Sequence, residues 1–145
     1  MMAGASTFRK DHPRFTVRGK DGRVLKTPRR IIASRHPETL EFPDDSWEGV
    51  CLRTKQDWDD FLIRLGSEQV MRILLEGGGE LAASALRADA VDEVEFHIAP
   101  AILGGRNSRP SVGGENPESL AEAIPLRDME IRKLGCDLMV RGRIH

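Results

Sequence analysis

One segment of the sequence has residue types and spacing suited to ligand chemistry: Val70-Met71-Arg72-Ile73-Leu74-Leu75 runs straight into Glu76-Gly77-Gly78-Gly79. Glycines let an anionic group such as a pyrophosphate approach the backbone closely. A helix opening over Glu80 to Ser84, with Leu81, Ala82 and Ala83 between them, would offer that group unpaired N–H donors. The spacing is not Gly-x-Gly-x-x-Gly and no Gly-Lys-Ser/Thr follows, so neither the standard dinucleotide fingerprint nor a phosphate-binding P-loop is present. A tight turn explains two glycines as well as a ligand does; three in succession after an apolar run favour the ligand. Glu76 either faces solvent at a sheet edge or accepts hydrogen bonds from a bound molecule, since an unpaired buried carboxylate is costly. His97 reads as a packed or hydrogen-bonded strand residue. Neither it nor Cys51 and Cys136, which lie far apart without Cys-x-x-Cys spacing, forms a metal or disulfide pattern.

These groups need elements to position them. Arg30 to Ser34 is a short β-branched run stopped by His36-Pro37, Gly49 to Arg53 is a second short apolar run, and both read as strands. Turn residues Pro43, Asp44, Asp45 and Ser46 lie between them. Thr54 followed by Asp57, with Trp58, Phe61, Leu62 and Leu65 at helical spacing before Gly66, predicts an N-capped amphipathic helix ending in glycine. The run 70–75, the glycines, a short helix over Leu81 to Leu86, and alternating Val94, Phe96 and Ile98 predict a right-handed βαβ crossover with parallel strands. Met129 to Leu134 and Leu138 to Ile144 flank Gly135-Cys136-Asp137 as an antiparallel hairpin. The expected fold is therefore α/β with a mixed, mostly parallel sheet flanked by helices. Residues 104–119, rich in Gly and Pro, are expected as a long loop over one edge.

The 145 residues include 22 Lys+Arg against 23 Asp+Glu, and 39% are hydrophobic, which excludes whole-chain disorder, collagen and coiled coil. No run approaches the roughly 18 apolar residues of a membrane span, and no signal peptide is visible, so a cytoplasmic, membrane-free protein is expected. The near-neutral total hides an asymmetry. Residues 1–35 carry a local balance of +8, whereas the remaining 110 residues carry 12 basic and 21 acidic groups. An anionic partner at the basic end would be nucleic acid or a phosphorylated small molecule; the third reading is a solvated basic face. Nucleic acid ranks last, because Phe8 and Phe15 are the only aromatics in the segment and no recognition motif accompanies them.

Several segments follow one another in order: Ala3-Gly4-Ala5-Ser6-Thr7, Asp11-His12-Pro13-Arg14-Phe15-Thr16-Val17-Arg18, Ile73 through Leu81, Val91-Asp92-Glu93-Val94, His97 through Gly105, and Leu134 through Leu138. Together they resemble the reductase domain of riboflavin biosynthesis, the C-terminal half of the bifunctional pyrimidine deaminase/reductase, with a dihydrofolate-reductase-like fold. The resemblance implies hydride transfer from NADPH to the ribosyl group of 5-amino-6-(5-phosphoribosylamino)uracil, giving the ribityl product. It implies that Ala3, Thr7, Ser34 and Gly78, Gly79, Glu80, Leu81, Ala82, Ala83 and Ser84 surround NADPH. Asp11, Arg14 and Glu76 would hold the phosphorylated substrate, and no catalytic acid or base is assigned. His12 stands where the family often has a second Asp. A homodimer without nucleic acid is expected.

The family domain usually begins earlier, with a strand, a Ser-Leu-Asp-Gly motif, a helix and a second strand. The expectation is thus one domain over residues 1–145, shortened at its N-terminus. Two other readings stay open: a non-catalytic or fragmentary nucleotide-binding module, and a related reductase acting on another pterin-like or pyrimidine compound.

Overall fold

Short strands alternate with helices in the computed structural model, which describes residues 1–145. Strand β1 (Met2–Gly4) leads into helix α1 (Ala5–Asp11), followed by a ribbon of β2 (Val17–Arg18) and β3 (Val24–Lys26). Strands β4 (Arg30–Ala33) and β5 (Trp47–Val50) precede helices α2 (Lys55–Ser67) and α3 (Gly79–Arg87). Strands β6 (Glu93–Ile98), β7 (Arg127–Leu134) and β8 (Asp137–Arg143) complete the order. The chain divides into two compact units: Met1–Asp89 with Ser111–Gly114, and Ala90–Pro110 with Glu115–His145.

The first unit is built on a parallel sheet in the order β1-β4-β5. Residues pair as Ala3 with Ile32 and Ile32 with Gly49, while Met2 pairs with Ile31 and Ile31 with Glu48. Because side chains alternate across a strand, Ala3 and Ile32 share one face and Met2 and Ile31 the other. Phe8 of α1 packs with Ala3, Phe15 and Ile32, and Phe42 and Trp47 close this cluster; Phe8 and Trp47 lie 5.1 Å apart. On the opposite face Glu48 pairs with Arg64 of α2, which places α2 over Met2 and Ile31. Helices therefore cover both faces, as parallel strands require. Trp58, Phe61 and Leu65 of α2 are buried, each burial stabilising by roughly 1.5–3 kcal/mol. The Trp58 indole N–H donates to Ser84 Oγ at 3.1 Å and Lys55 Nζ to the Ala88 carbonyl at 2.8 Å, joining α2 to the α3 segment.

The second unit is an antiparallel sheet with β8 central, in the order β6-β8-β7. Gly135 alone in the β7–β8 connection has positive φ, +66°, the sign that a type II′ hairpin turn needs at its first central residue. A register shift between Arg127 and Glu130 marks a bulge, with Asp128 at φ +48°.

The mixed α/β class is as expected, and four local expectations are corrected. Residues 70–75 form no strand. Met2 donates to Leu74 O at 2.8 Å and accepts from Glu76 N at 2.7 Å, leaving a single parallel bridge, Met2 to Leu75. The run has this one short neighbour, β1 being three residues long, and its Met71 and Leu74 are exposed. The parallel pairing expected for β6 is replaced by an antiparallel one with β8, six residues in register. Strand β5 lies two to three residues earlier than expected, because the N–H groups of Arg53 and Thr54 both turn to the Asp57 carboxylate at 2.8 Å instead of extending the ladder. Helix α2 runs past Gly66 to Ser67, and Gln69 takes the left-handed conformation, φ +61°.

Candidate functional site

Parallel strands bring their carboxyl ends to one edge, where ligands of open α/β sheets bind. Register partners Gly4, Ala33 and Val50 end together, and the Leu75 bridge adds the glycine turn beside them. Four segments leave this edge: Ala5–Thr7 opening α1, Ser34–Arg35, Arg53–Thr54, and Glu76–Glu80.

The glycine turn is the most specialised of the four. Gly77 and Gly78 have φ of +68° and +89°, conformations costly for residues with a Cβ. Gly78 is the N-cap of α3 and no side chain caps the helix. The first intrahelical bond runs from Ala82 N to Gly78 O at 3.0 Å, so the N–H groups of Gly79, Glu80 and Leu81 have no intrahelical acceptor. Three such donors at a positive helix end form an anion seat. Thr7 Oγ1 adjoins it, 3.8 and 4.0 Å from where β-carbons on Gly77 and Gly78 would stand.

The other expected residues distribute around this turn. Glu76 is exposed directly after the Leu75 bridge. Asp11, four residues after Thr7, lies one turn, about 6 Å, further along the same face of α1. Arg14 is exposed just beyond, where His12 and Phe15 take left-handed φ of +41° and +44° and the buried Phe15 ring anchors the bend. Ser34 donates its N–H to Val50 O at 2.9 Å, and its hydroxyl accepts from His36 N at 3.1 Å. Ala3 is fully buried beneath α1, Ala83 is buried in α3, and the Ser84 hydroxyl is taken up by Trp58. His97 bonds Glu95 at 2.8 Å within its own strand.

Two groups of residues escape the sequence reading. A cleft of about 230 Å³ is lined by Arg53, Lys55, Trp58, Glu80, Arg87 and Gly114, among others. The Arg53 guanidinium donates to Arg35 O at 2.7 Å, tying two strand-end segments together. Arg53 directly before the Thr54 cap was the available signal, masked by reading Arg53 as the end of a strand. The second group is Gly113 and Gly114, adjacent glycines read as part of a surface loop. Gly113 N–H donates to Gly79 O at 2.9 Å, and Gly114 N–H donates to Glu80 Oε1 at 3.1 Å.

Residues 1–140 match the model of the RibD C-terminal domain. The chain belongs to that family. It is 32% identical over 166 aligned residues to the 2,5-diamino-6-ribosylamino-4(3H)-pyrimidinone 5′-phosphate reductase of Methanothermobacter thermautotrophicus, covering 97% of this chain and 77% of that one. It is 34% identical over 84 residues to the riboflavin biosynthesis protein RibD of Actinobacillus pleuropneumoniae, covering 58% of this chain and 22% of that protein. Among solved structures, Acinetobacter baumannii RibD superposes with a TM-score of 0.75 at 20% identity, over 98% of this chain and 46% of that one. The chain thus spans most of the archaeal reductase but under half of these RibD proteins. The dihydrofolate-reductase-like fold and the oxidoreductase class of riboflavin biosynthesis follow from membership in this RibD C-terminal family. No helix is long and apolar enough to cross a membrane.

Proposed function

We propose that this chain is an NADPH-dependent reductase that converts a ribosylaminopyrimidine 5′-phosphate, such as 5-amino-6-(5-phosphoribosylamino)uracil, into its ribitylamino product. The observation that carries the reading is the glycine turn. Three unpaired N–H groups and two left-handed glycines stand at the carboxyl edge of a parallel sheet, in a chain whose relatives are named reductases. The archaeal relative is named for the 2,5-diaminopyrimidinone substrate, and the ribosyl phosphate is common to it and the uracil.

The residues present fit the cofactor. Gly79, Glu80 and Leu81 would hold its pyrophosphate by backbone N–H groups, Gly78 would turn the chain around it and Ala82 would close the first helical bond, Thr7 would add a hydroxyl beside the turn, and Ser34 would lie near a ribose. Ala3, Ala83 and Ser84 support this seat from within, by packing and through Trp58. Arg53, Lys55 and Arg87 supply cations for a further phosphate in the adjoining cleft. When bound, NADPH supplies the hydride that reduces the ribosyl carbon, a proton completing the product. The chain's own task is alignment. Asp11 follows Thr7 on α1, Arg14 lies in the bend just beyond and Glu76 follows the Leu75 bridge, so a phosphorylated sugar held by Arg14 would be presented to the seat between these segments.

The reading includes a single functional domain, since the family match runs through both compact units, a cytosolic location and a homodimer. Titration of the protein with NADPH, followed by nicotinamide fluorescence, tests it: saturable binding is expected, and absence of binding at millimolar cofactor would leave a non-catalytic module of the same fold.

A further inference from the structure

The anion seat contains its own competitor. Glu80 stands in the first turn of α3, where a carboxylate is drawn to the unpaired N–H groups of the helix end. A free Glu80 side chain would occupy the place a phosphate needs and repel it. In the structure it does neither, because Glu80 Oε1 accepts the Gly114 N–H at 3.1 Å. Residues 80, 83 and 87 form one stripe of α3, and Gly114 lies on that stripe. A β-carbon at Gly114 would stand 2.9 Å from Ala83 Cβ and 2.9 Å from Arg87 Nη2. The Glu80 carboxylate is therefore drawn along the flank of the helix.

The neighbouring residue secures the same arrangement. Gly113 N–H holds Gly79 O at 2.9 Å, and a β-carbon at Gly113 would stand 3.1 Å from the Gly79 carbonyl carbon and 2.5 Å from Glu80 Oε1. Backbone and an alanine methyl have no rotamer by which to give way, and Gly114 also has φ of +86°. Only a glycine pair lets the backbone approach α3 closely enough to make both bonds.

We propose that Ser111–Gly114 is a positioning strap that sequesters the Glu80 carboxylate and so keeps the N-terminal seat of α3 open for a phosphorylated cofactor. That the cofactor is NADPH rests on the function proposed above; the sequestration itself does not. Neither glycine touches the cofactor in this account, and their effect passes through Glu80 and Gly79.

Two measurements decide it. Amide hydrogen exchange without cofactor should find the Gly114 amide protected in the wild type and in Glu80→Gln, which keeps an acceptor oxygen, and unprotected in Glu80→Ala. An unprotected Gly114 amide in the wild type overturns the strap whatever the protein binds. NADPH titration should then show Gly114→Ala weakened about tenfold or more, the loss expected when a charged group leaves its hydrogen bond. Gly114→Ala combined with Glu80→Gln should recover most of that affinity, because the freed side chain no longer carries a charge. Affinity that stays lost in the double variant, or is unchanged in Gly114→Ala, contradicts sequestration. A protected Gly114 amide in a wild type that binds no NADPH upholds the strap and removes the cofactor reading instead.

Discussion

At the residue scale, backbone conformation and space make different demands of the glycines. A β-carbon at Gly78 would have room, its nearest neighbours being Leu81 Cβ at 3.9 Å and Thr7 Oγ1 at 4.0 Å, so its φ of +89° is what calls for glycine. Gly78→Ala should accordingly cost about 1–2 kcal/mol in urea denaturation, from the left-handed backbone alone. Gly78→Asp should abolish NADPH fluorescence enhancement, since it places a negative charge at the anion seat. Arg14 and Asp11 are proposed for the other half of the site. Arg14→Ala should raise the KM for the phosphorylated substrate about tenfold or more while leaving NADPH affinity within about twofold, as expected when one charged hydrogen bond to a phosphate is lost. Steady-state kinetics with each substrate varied in turn would separate the two effects.

At the element scale, helix α2 holds the strand ends to the cleft. Its N-terminus is a full capping box: Asp57 N–H donates to Thr54 Oγ1, and the Asp57 carboxylate accepts from Thr54 N–H. Thr54→Ala should lower stability by about 0.5–2 kcal/mol in denaturant titration. The Asp57 carboxyl is held below its usual 3.8 chiefly by the Arg53 N–H, then by Thr54. Glu68 is held below 4.5 chiefly by its bond to Arg29, with Arg64 adding to it. Lowered folded values stabilise the protein above the usual carboxylate range, and that contribution is lost as pH falls through the lowered values. Melting temperature should therefore drop on acidification below about pH 4.5, and less steeply in Asp57→Asn; an equal slope in the variant would refute the cap's part. Exposure of the Arg29, Glu48, Arg64 and Glu68 cluster keeps its share small and salt-sensitive.

Helix α2 was legible in the sequence because Thr54, Asp57 and the Trp58, Phe61 and Leu65 spacing all agree. Helix α1 was not: seven residues give too few turns for periodicity, and Gly4 caps it without a side-chain bond. The glycine turn was legible from composition, but the strap was not, since Gly113 and Gly114 meet Gly79 and Glu80 across more than thirty residues of chain. The run 70–75 was misread because hydrophobicity reports burial against some neighbour, whereas a strand also needs a hydrogen-bonding partner along its length. Met2 and Leu75 supply one bridge only.

At the scale of the whole molecule, the RibD C-terminal family match runs through both compact units. Large apolar side chains are exposed in both units, among them Met71 and Leu74 in the first and Ile98, Ile102, Leu103 and Ile131 in the second. The homodimer proposed above would cover some of these side chains. Light scattering on the purified protein should give twice the 16.2 kDa of one chain, and a monomer at all concentrations would rule out the homodimer. The proposed cofactor seat and the proposed substrate side chains must finally act together. The most direct measurement is oxidation of NADPH by the purified chain in the presence of 5-amino-6-(5-phosphoribosylamino)uracil, with the sugar product identified by mass. Substrate-dependent consumption of NADPH is expected, one equivalent per ribitylamino product, lost in Gly78→Asp. NADPH that binds but is never consumed with this substrate or its 2,5-diaminopyrimidinone counterpart would contradict it.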